Sequence, residues 1–350
     1  MNQRTLCSTR LVERPPVGIR AIRQCRARSV VARASAAESQ VAPGVFEGYW
    51  TFKRAGKEHQ IRYQRSGESG EALLLVHGFG GNCDHWRKNT PALGANYRAF
   101  SIDLLGYGYS DKPDPRGQPQ NSLYCFETWG EQLASFTQEM IQSPAFLICN
   151  SVGGLAGLQA SITHPELVRG VQLLDISLRG LHASRINPLA RPFLSAFQKL
   201  LRETDLGTAF FGTVATTRTV TNILKQAYGD KSAVTEELVD KILTPGLRPG
   251  AAAVFLDFIS YSGGPLPEEL LAATTRPVSI LWGAADPWED VVKGRALFAS
   301  YPMVTEFVEL PGVGHCPMDE APVQVNALIS KFVSSQVLLQ GAGTVAAAVS

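Results

Sequence analysis

The sequence predicts an α/β fold, with a mostly parallel central sheet, helices on both faces and an inserted helical cap. Three observations carry this. Short apolar runs recur along the chain, of the kind that become strands buried on both faces. Helical patterns lie between most of them, the alternation that covers a parallel sheet on both sides. The alternation breaks once, between about Leu178 and Leu271, and strand-like segments resume at Val278.

Residues 1–34 come first and stand apart. They hold eight arginines, no lysine and one acid, Glu13. The whole chain has 350 residues and a formal net charge of +2, but removing this leader leaves 25 basic and 30 acidic residues. An Arg- and Ser-bearing, acid-poor start has the composition of an organelle transit peptide, and the small-residue run from Val30 to Ala37 offers a processing site. A secretory signal needs an apolar core of about 7–15 residues, which this segment does not have. The other reading is a basic tail that is retained.

After the leader, Trp50 to Tyr63 reads as an opening hairpin. The strand-like runs follow at Ala72–Val76, Tyr97–Ile102, Phe146–Cys149, Val171–Leu174, Val278–Leu281 and Glu306–Leu310. Helical patterns lie at Phe126–Ile141, Leu155–Thr163 and Val291–Ala299. The interrupting stretch is mostly helical with Pro and Gly punctuation, and the return of strands after it argues against a separate C-terminal domain. The expected organisation is a core in two parts, 45–177 and 272–335, a cap over 178–271 and a flexible tail over 336–350.

Composition narrows the class. With 45% apolar and 18% charged residues, the chain is neither disordered nor a basic nucleic-acid binder. No stretch reaches about 18 consecutive apolar residues, the length of a spanning helix. Cys83, Cys125, Cys149 and Cys316 lack metal-binding spacing, so free thiols in a reducing compartment are expected. No metal and no organic cofactor is expected: the acidic, cysteine and histidine residues form no ligand cluster, and the glycine pairs open no dinucleotide fingerprint.

The chemistry concentrates in the segment Phe146 to Gly154, an apolar strand, then Ser151, then small residues opening a helix. This is the setting of a nucleophile elbow, a strained turn that lifts a serine from the carboxyl edge of a sheet. Gly153 supplies one small neighbour. Cys149 stands where glycine is usual and lowers the specificity of the match; an ordinary helix N-cap is the competing role. A serine hydroxyl needs a base. Of the six histidines, His315 follows the last strand in a glycine-bearing loop, whereas His77 sits after an early strand where structural roles are common. The base needs an acid to set its tautomer. Asp286, just past a strand, is the candidate, and Asp175, after Leu174, competes with it. The order Ser151, Asp286, His315 is that of α/β-hydrolases. The Phe79 and Val152 N–H groups are the candidate oxyanion hole.

Several further stretches resemble the chlorophyll dephytylases, a family related to pheophytinase. They are Asp84 to Asn89, Gly106 to Pro113, Thr128 to Leu133, Ile148 to Ser151 and, in the cap, Tyr261 to Pro267. The resemblance runs from about Trp50 to Val333, and that family also carries cysteine at the position of Cys149. It implies a chloroplast serine esterase that cleaves the phytyl ester of chlorophyll to chlorophyllide and phytol, peripherally associated with the thylakoid membrane. A carboxylesterase or lipase for other plastid lipids is the alternative. Dehalogenases and epoxide hydrolases of similar layout use an aspartate where Ser151 stands. From Arg179 to Lys225 the cap carries seven basic and two acidic residues. A basic cap face turned toward an anionic membrane is therefore a further expectation.

Overall fold

The apolar runs between turns become strands, and the amphipathic segments between them become helices. The computed structural model describes residues 38–119 and 122–349, with side chains to residue 341; the leader and its processing site lie outside the described residues. In chain order the elements are β1 (Ser39–Ala42), β2 (Val45–Arg54), β3 (Lys57–Ser66), β4 (Ala72–Val76), α1 (Thr90–Leu93), β5 (Arg98–Ile102), α2 (Phe126–Phe136), β6 (Ala145–Asn150), α3 (Val152–Thr163) and β7 (Val168–Leu174). The inserted helices follow as α4 (Arg191–Glu203), α5 (Asp205–Val214), α6 (Thr217–Ala227), α7 (Glu236–Gly246) and α8 (Ala251–Ile259). The chain ends with α9 (Pro267–Ala273), β8 (Val278–Gly283), α10 (Val291–Phe298), β9 (Val304–Leu310), α11 (Pro317–Glu320) and α12 (Pro322–Val349).

The strands form one sheet in the order β1-β2-β3-β5-β4-β6-β7-β8-β9. From β5 to β9 every pairing is parallel, and β1 to β3 add antiparallel strands at one edge. The expected hairpin is β2–β3, closed by Ala55 and Gly56, both at positive φ. Each of the five residues of β4 and six of β6 is buried, as continuous apolar strands in a covered sheet must be. One core lies on the α2–α3 side around Trp129, Leu133 and Leu155; the other lies on the α12 side around Trp86, Phe146 and Phe332.

Three expectations need correction. β1 precedes the expected start of the core at residue 45; its four residues are all exposed, so no hydrophobic pattern marks them. Helix α9 packs on α3, and Leu270 and Leu271 are buried in the main core, so the cap ends before residue 271. The tail at 336–350 was expected to be flexible. Instead α12 continues to Val349, with Gln336 buried and the Arg169 guanidinium donating to Gln340 at 2.7 Å.

A buried ion cluster fixes the opening strands against the sheet. Arg62, 4% exposed, meets Glu47 at 2.6 Å, Asp84 at 3.1 Å and Asp103 at 3.5 Å. Burial alone would push the Asp103 carboxyl up, but the Arg62 guanidinium, His77 and the hydrogen bonds from Cys83 together outweigh it and the net shift is downward. Asp103 also accepts from the Cys83 and Tyr109 N–H groups, and a Cβ on Gly108 would stand 2.0 Å from its carboxylate. Replacing Arg62 by Met leaves three acids without their cation. Urea denaturation of Arg62→Met should show a loss of about 3–5 kcal/mol, the usual cost of breaking a buried pair from one side.

Candidate active site

Strand β6 ends at Asn150 and α3 begins at Val152, so Ser151 alone makes the turn. Its φ of 53° and ψ of −122° lie where a residue with a Cβ is strained by about 1–3 kcal/mol. The turn is held from several sides. Ser151 N–H donates to the Leu174 carbonyl at 2.9 Å. The Asn150 amide donates to the carbonyls of Leu174 and His315, tying the elbow to the end of β7 and to the histidine loop. A Cβ on Gly153 would stand 2.5 Å from the His77 carbonyl oxygen, and one on Gly78 would stand 2.9 Å from the Ser151 Cβ. Cys149 is accommodated by the helix. A Cβ on Gly157 of α3 would lie 2.6 Å from its Sγ, so the glycine that makes room sits on the helix instead of the strand.

Ser151, Asp286 and His315 come together as expected. His315 Nε2 lies 3.0 Å from Ser151 Oγ, and Nδ1 lies 2.7 Å from Asp286 Oδ2. With its proton on Nδ1 the ring donates to the carboxylate, and Nε2 is left to accept from the serine hydroxyl. Asp286 is oriented in turn by the Trp288 and Glu289 N–H groups, which donate to its Oδ1. His315 is held from the cap. Its N–H donates to the Ala227 carbonyl at the end of α6, and the Gly229 N–H donates to Glu320.

Asp175 does not reach His315 as a competing acid; it stands behind the pair. It is fully buried at the end of β7, at a φ of 46°, and its Oδ1 accepts from the Gly283 N–H at 2.8 Å. Burial and then the neighbouring Asp286 charge push its carboxyl well above the usual range. Ligand atoms of Asp175, Asp286 and His315 lie within 4.8 Å of one another. The inward-pointing Gly283 N–H and the His315–Asp286 hydrogen bond already occupy that space.

The Phe79 and Val152 N–H groups take no backbone partner among the described residues, and both residues line the same cavity as Ser151. Val152 N–H opens α3, where the helix end favours negative charge. His77 proves structural: its Nδ1 donates to the Gly78 carbonyl, and its Nε2 accepts from Leu104 N–H, holding the loop that carries Phe79.

Two contributors were not legible in the sequence. His85 faces the cavity and bonds the Tyr228 hydroxyl at 3.0 Å, and that hydroxyl donates to Asp319 at 2.9 Å. This chain joins the first loop, the cap and α11, and its members lie too far apart in sequence for any motif. Burial holds His85 neutral, its pKa lowered to about 4. Glu289 also lines the cavity, and burial raises its carboxyl.

The cavity measures about 580 Å³, within the roughly 300–1,000 Å³ of small-molecule sites. Its walls are mostly apolar, with Phe79, Phe211, Val214, Val254, Phe255 and Phe258 prominent. The Phe79 and Phe258 rings stack at 5.1 Å, and Phe255 bridges Phe79 to Phe211. The site therefore joins an activated hydroxyl to a large greasy chamber.

A fluorophosphonate probe reads the hydroxyl directly. It should label the wild type at Ser151 and leave Ser151→Ala unlabelled, as peptide mapping by mass spectrometry will show. Asp286→Asn should slow labelling by roughly 10⁴-fold through loss of the tautomer, and Asp175→Asn should slow it far less. Asp175 also carries a stability prediction. Above the unfolded carboxyl pKa of about 3.9, the folded state keeps a proton that the unfolded chain has lost. Wild-type stability is therefore drained as pH rises. The stability of Asp175→Asn relative to wild type, measured in urea, should grow as pH rises above about 4.

Comparison with known proteins bears on the same elements. A model of the Alpha/beta hydrolase family matches residues 73–328, from β4 through the cap to α12. The chloroplastic pheophytinase of Arabidopsis thaliana is 28% identical over 318 residues, covering 78% of this chain and 64% of its own. The chain thus spans less than two thirds of that relative's length. The uncharacterized hydrolase YugF of Bacillus subtilis (strain 168) is 25% identical over 273 residues, 77% of this chain and 92% of its own. A crystallised serine hydrolase involved in carbazole degradation, CarC, superposes with a TM-score of 0.64 at 19% identity, over 82% of this chain and 98% of its own. With the family model running through the parallel strands, the elbow and the histidine loop alike, this chain belongs to the alpha/beta hydrolase family.

Proposed function

We propose that this chain is a serine esterase that hydrolyses the phytyl ester of chlorophyll, releasing chlorophyllide and phytol. The observation that carries the proposal is the Ser151–His315–Asp286 hydrogen-bonded set opening into an apolar cavity of about 580 Å³. Ser151 Oγ attacks the ester carbonyl while His315 Nε2 takes its proton. The oxyanion sits on the Phe79 and Val152 N–H groups. As the C–O bond breaks, His315 returns the proton to the leaving phytol oxygen. Water then attacks the acyl-enzyme, giving its proton to His315, and Ser151 is released with the carboxylic acid product. The magnesium of the pigment plays no part in these steps.

The apolar chamber suits a long aliphatic alcohol. Each buried CH₂ contributes roughly 0.8 kcal/mol before the cost of ordering the chain. The flat macrocycle rests at the mouth. Similarity to a pheophytinase favours a second substrate, the magnesium-free pigment pheophytin. The Arg-rich, acid-poor leader supports import into an organelle, and similarity to a chloroplastic pheophytinase favours the chloroplast.

The test is hydrolysis of chlorophyll and pheophytin side by side, with a panel of long-chain acyl lipids. Chlorophyllide from chlorophyll, abolished by about 10⁴-fold or more in Ser151→Ala, is the expected result. Cleavage confined to pheophytin would move the assignment to the second substrate. Cleavage confined to acyl lipids would make the chain a plastid lipase.

A further inference from the structure

Helix α4 is apolar on its outer side as well as its inner one. Its outer side carries Phe193, Phe197 and Leu200, continuing Leu189 before it at helical spacing; Leu189 is 81% and Phe193 79% exposed. Its inner side carries half-buried Leu194 and buried Leu201 together with Gln198, whose amide donates to the Ile259 carbonyl, and Arg202, paired at 3.0 Å with the buried Asp257 of α8. An ordinary surface helix turns its apolar stripe inward and leaves a polar side to water. In α5, Leu206 and Phe210 extend the exposed apolar surface.

The structure also revises the basic character of the cap. Arg179 is buried, donates to the carbonyls of Tyr261 and Pro265, and packs over the Phe126 and Tyr261 rings. Arg185 pairs with Glu268 and Arg202 with Asp257. Arg191 and Lys199 remain exposed on α4 itself, with Lys199 4.0 Å from Glu203, and Arg218 and Lys225 remain exposed on α6. Helix α4 thus carries exposed cations beside its outer apolar residues.

That face adjoins the active-site cavity. Leu181, 66% exposed, lines it, and the ring of exposed Phe210 meets Phe255, which in turn meets Phe79 beside Ser151. An aromatic path therefore runs from the outer surface to the candidate oxyanion hole. A protein partner seated here would cover the path; a bilayer would feed it. Among the described residues no single helix is long and apolar enough to cross a membrane. We propose that α4 and α5 lie in the surface of an anionic lipid bilayer, with Leu189, Phe193, Phe197 and Leu200 inserted and the basic residues at the headgroups, so that an apolar ester passes directly from lipid to Ser151. Amphipathic helices with aromatic and aliphatic residues on one face and cations beside it bind membranes in this way. The proposal rests on the esterase assignment for its substrate, but its lipid contact is separable from it.

The test is flotation of the full chain carrying Ser151→Ala with phosphatidylcholine vesicles, with and without phosphatidylglycerol. Binding is expected to both and tighter to the anionic ones. Phe193→Ser with Phe197→Ser should weaken partition by about 100-fold or more. Arg191→Gln with Lys199→Gln should weaken it by about fivefold per residue on anionic vesicles alone. In the Ser151 background, neither set should change the thermal midpoint or hydrolysis of a soluble short-chain ester, since these side chains line no part of the cavity. The double Phe variant should lose hydrolysis of a vesicle-borne ester. Unchanged flotation of the double Phe variant would overturn the proposal. So would a stable wild-type dimer that this variant splits, because a second copy would then cover the face. Phe-dependent flotation without chlorophyll hydrolysis would leave the docking face standing and remove the pigment assignment.

Discussion

Everything at this site follows from a backbone held where it would not rest by itself. Ser151 sits at positive φ because β6 must stop and α3 must start within one residue. The strain is offset by the Ser151 N–H bond to β7, by the Asn150 amide bridging two loops, and by glycines whose missing Cβ atoms let the His77 loop close over the turn. The reward of that geometry is directional. It brings Oγ, the imidazole and two unpartnered amides to one wall of a cavity. Relaxing the turn would move all of them together.

Electrostatics at the acid end is layered. Asp286 faces the histidine, and Asp175 stands behind it, its carboxyl pushed well above the usual range by burial and by the Asp286 charge. Two carboxylates in so dry a place repel strongly when both ionise. The strand ends explain why both acids are there: β7 and β8 are neighbours in the sheet, and each presents its next carboxylate to the same edge.

Much of this was legible in the sequence. Buried parallel strands are continuous apolar runs, so β4 to β9 stood out, and the strand–serine–helix pattern placed Ser151. Asp286 was the candidate acid, but Asp175 competed because both follow strands, and it is the loop carrying Trp288 that turns Asp286 toward His315. Exposed β1 had no hydrophobic signature. Gly and Ala in the final segment suggested a flexible tail, while Gln336, Val337 and Gln340 of α12 pack and bond against the body of the protein. The cap's composition announced helices and basic charge, but which arginines face inward depends on partners such as Asp257 and Glu268 far along the chain.

The bond from His315 N–H to the Ala227 carbonyl divides the cap mechanically. The end of α6 is fastened to the histidine loop, and Tyr228 adds a second rivet through His85 and Asp319. Helices α4 and α5 meet the rest of the molecule chiefly through α8, with the Arg202 guanidinium of α4 also reaching the Pro115 and Gln118 carbonyls at 3.5 Å. The α6 side of the cap thus takes part in placing the imidazole, and a change there reaches the catalytic set directly.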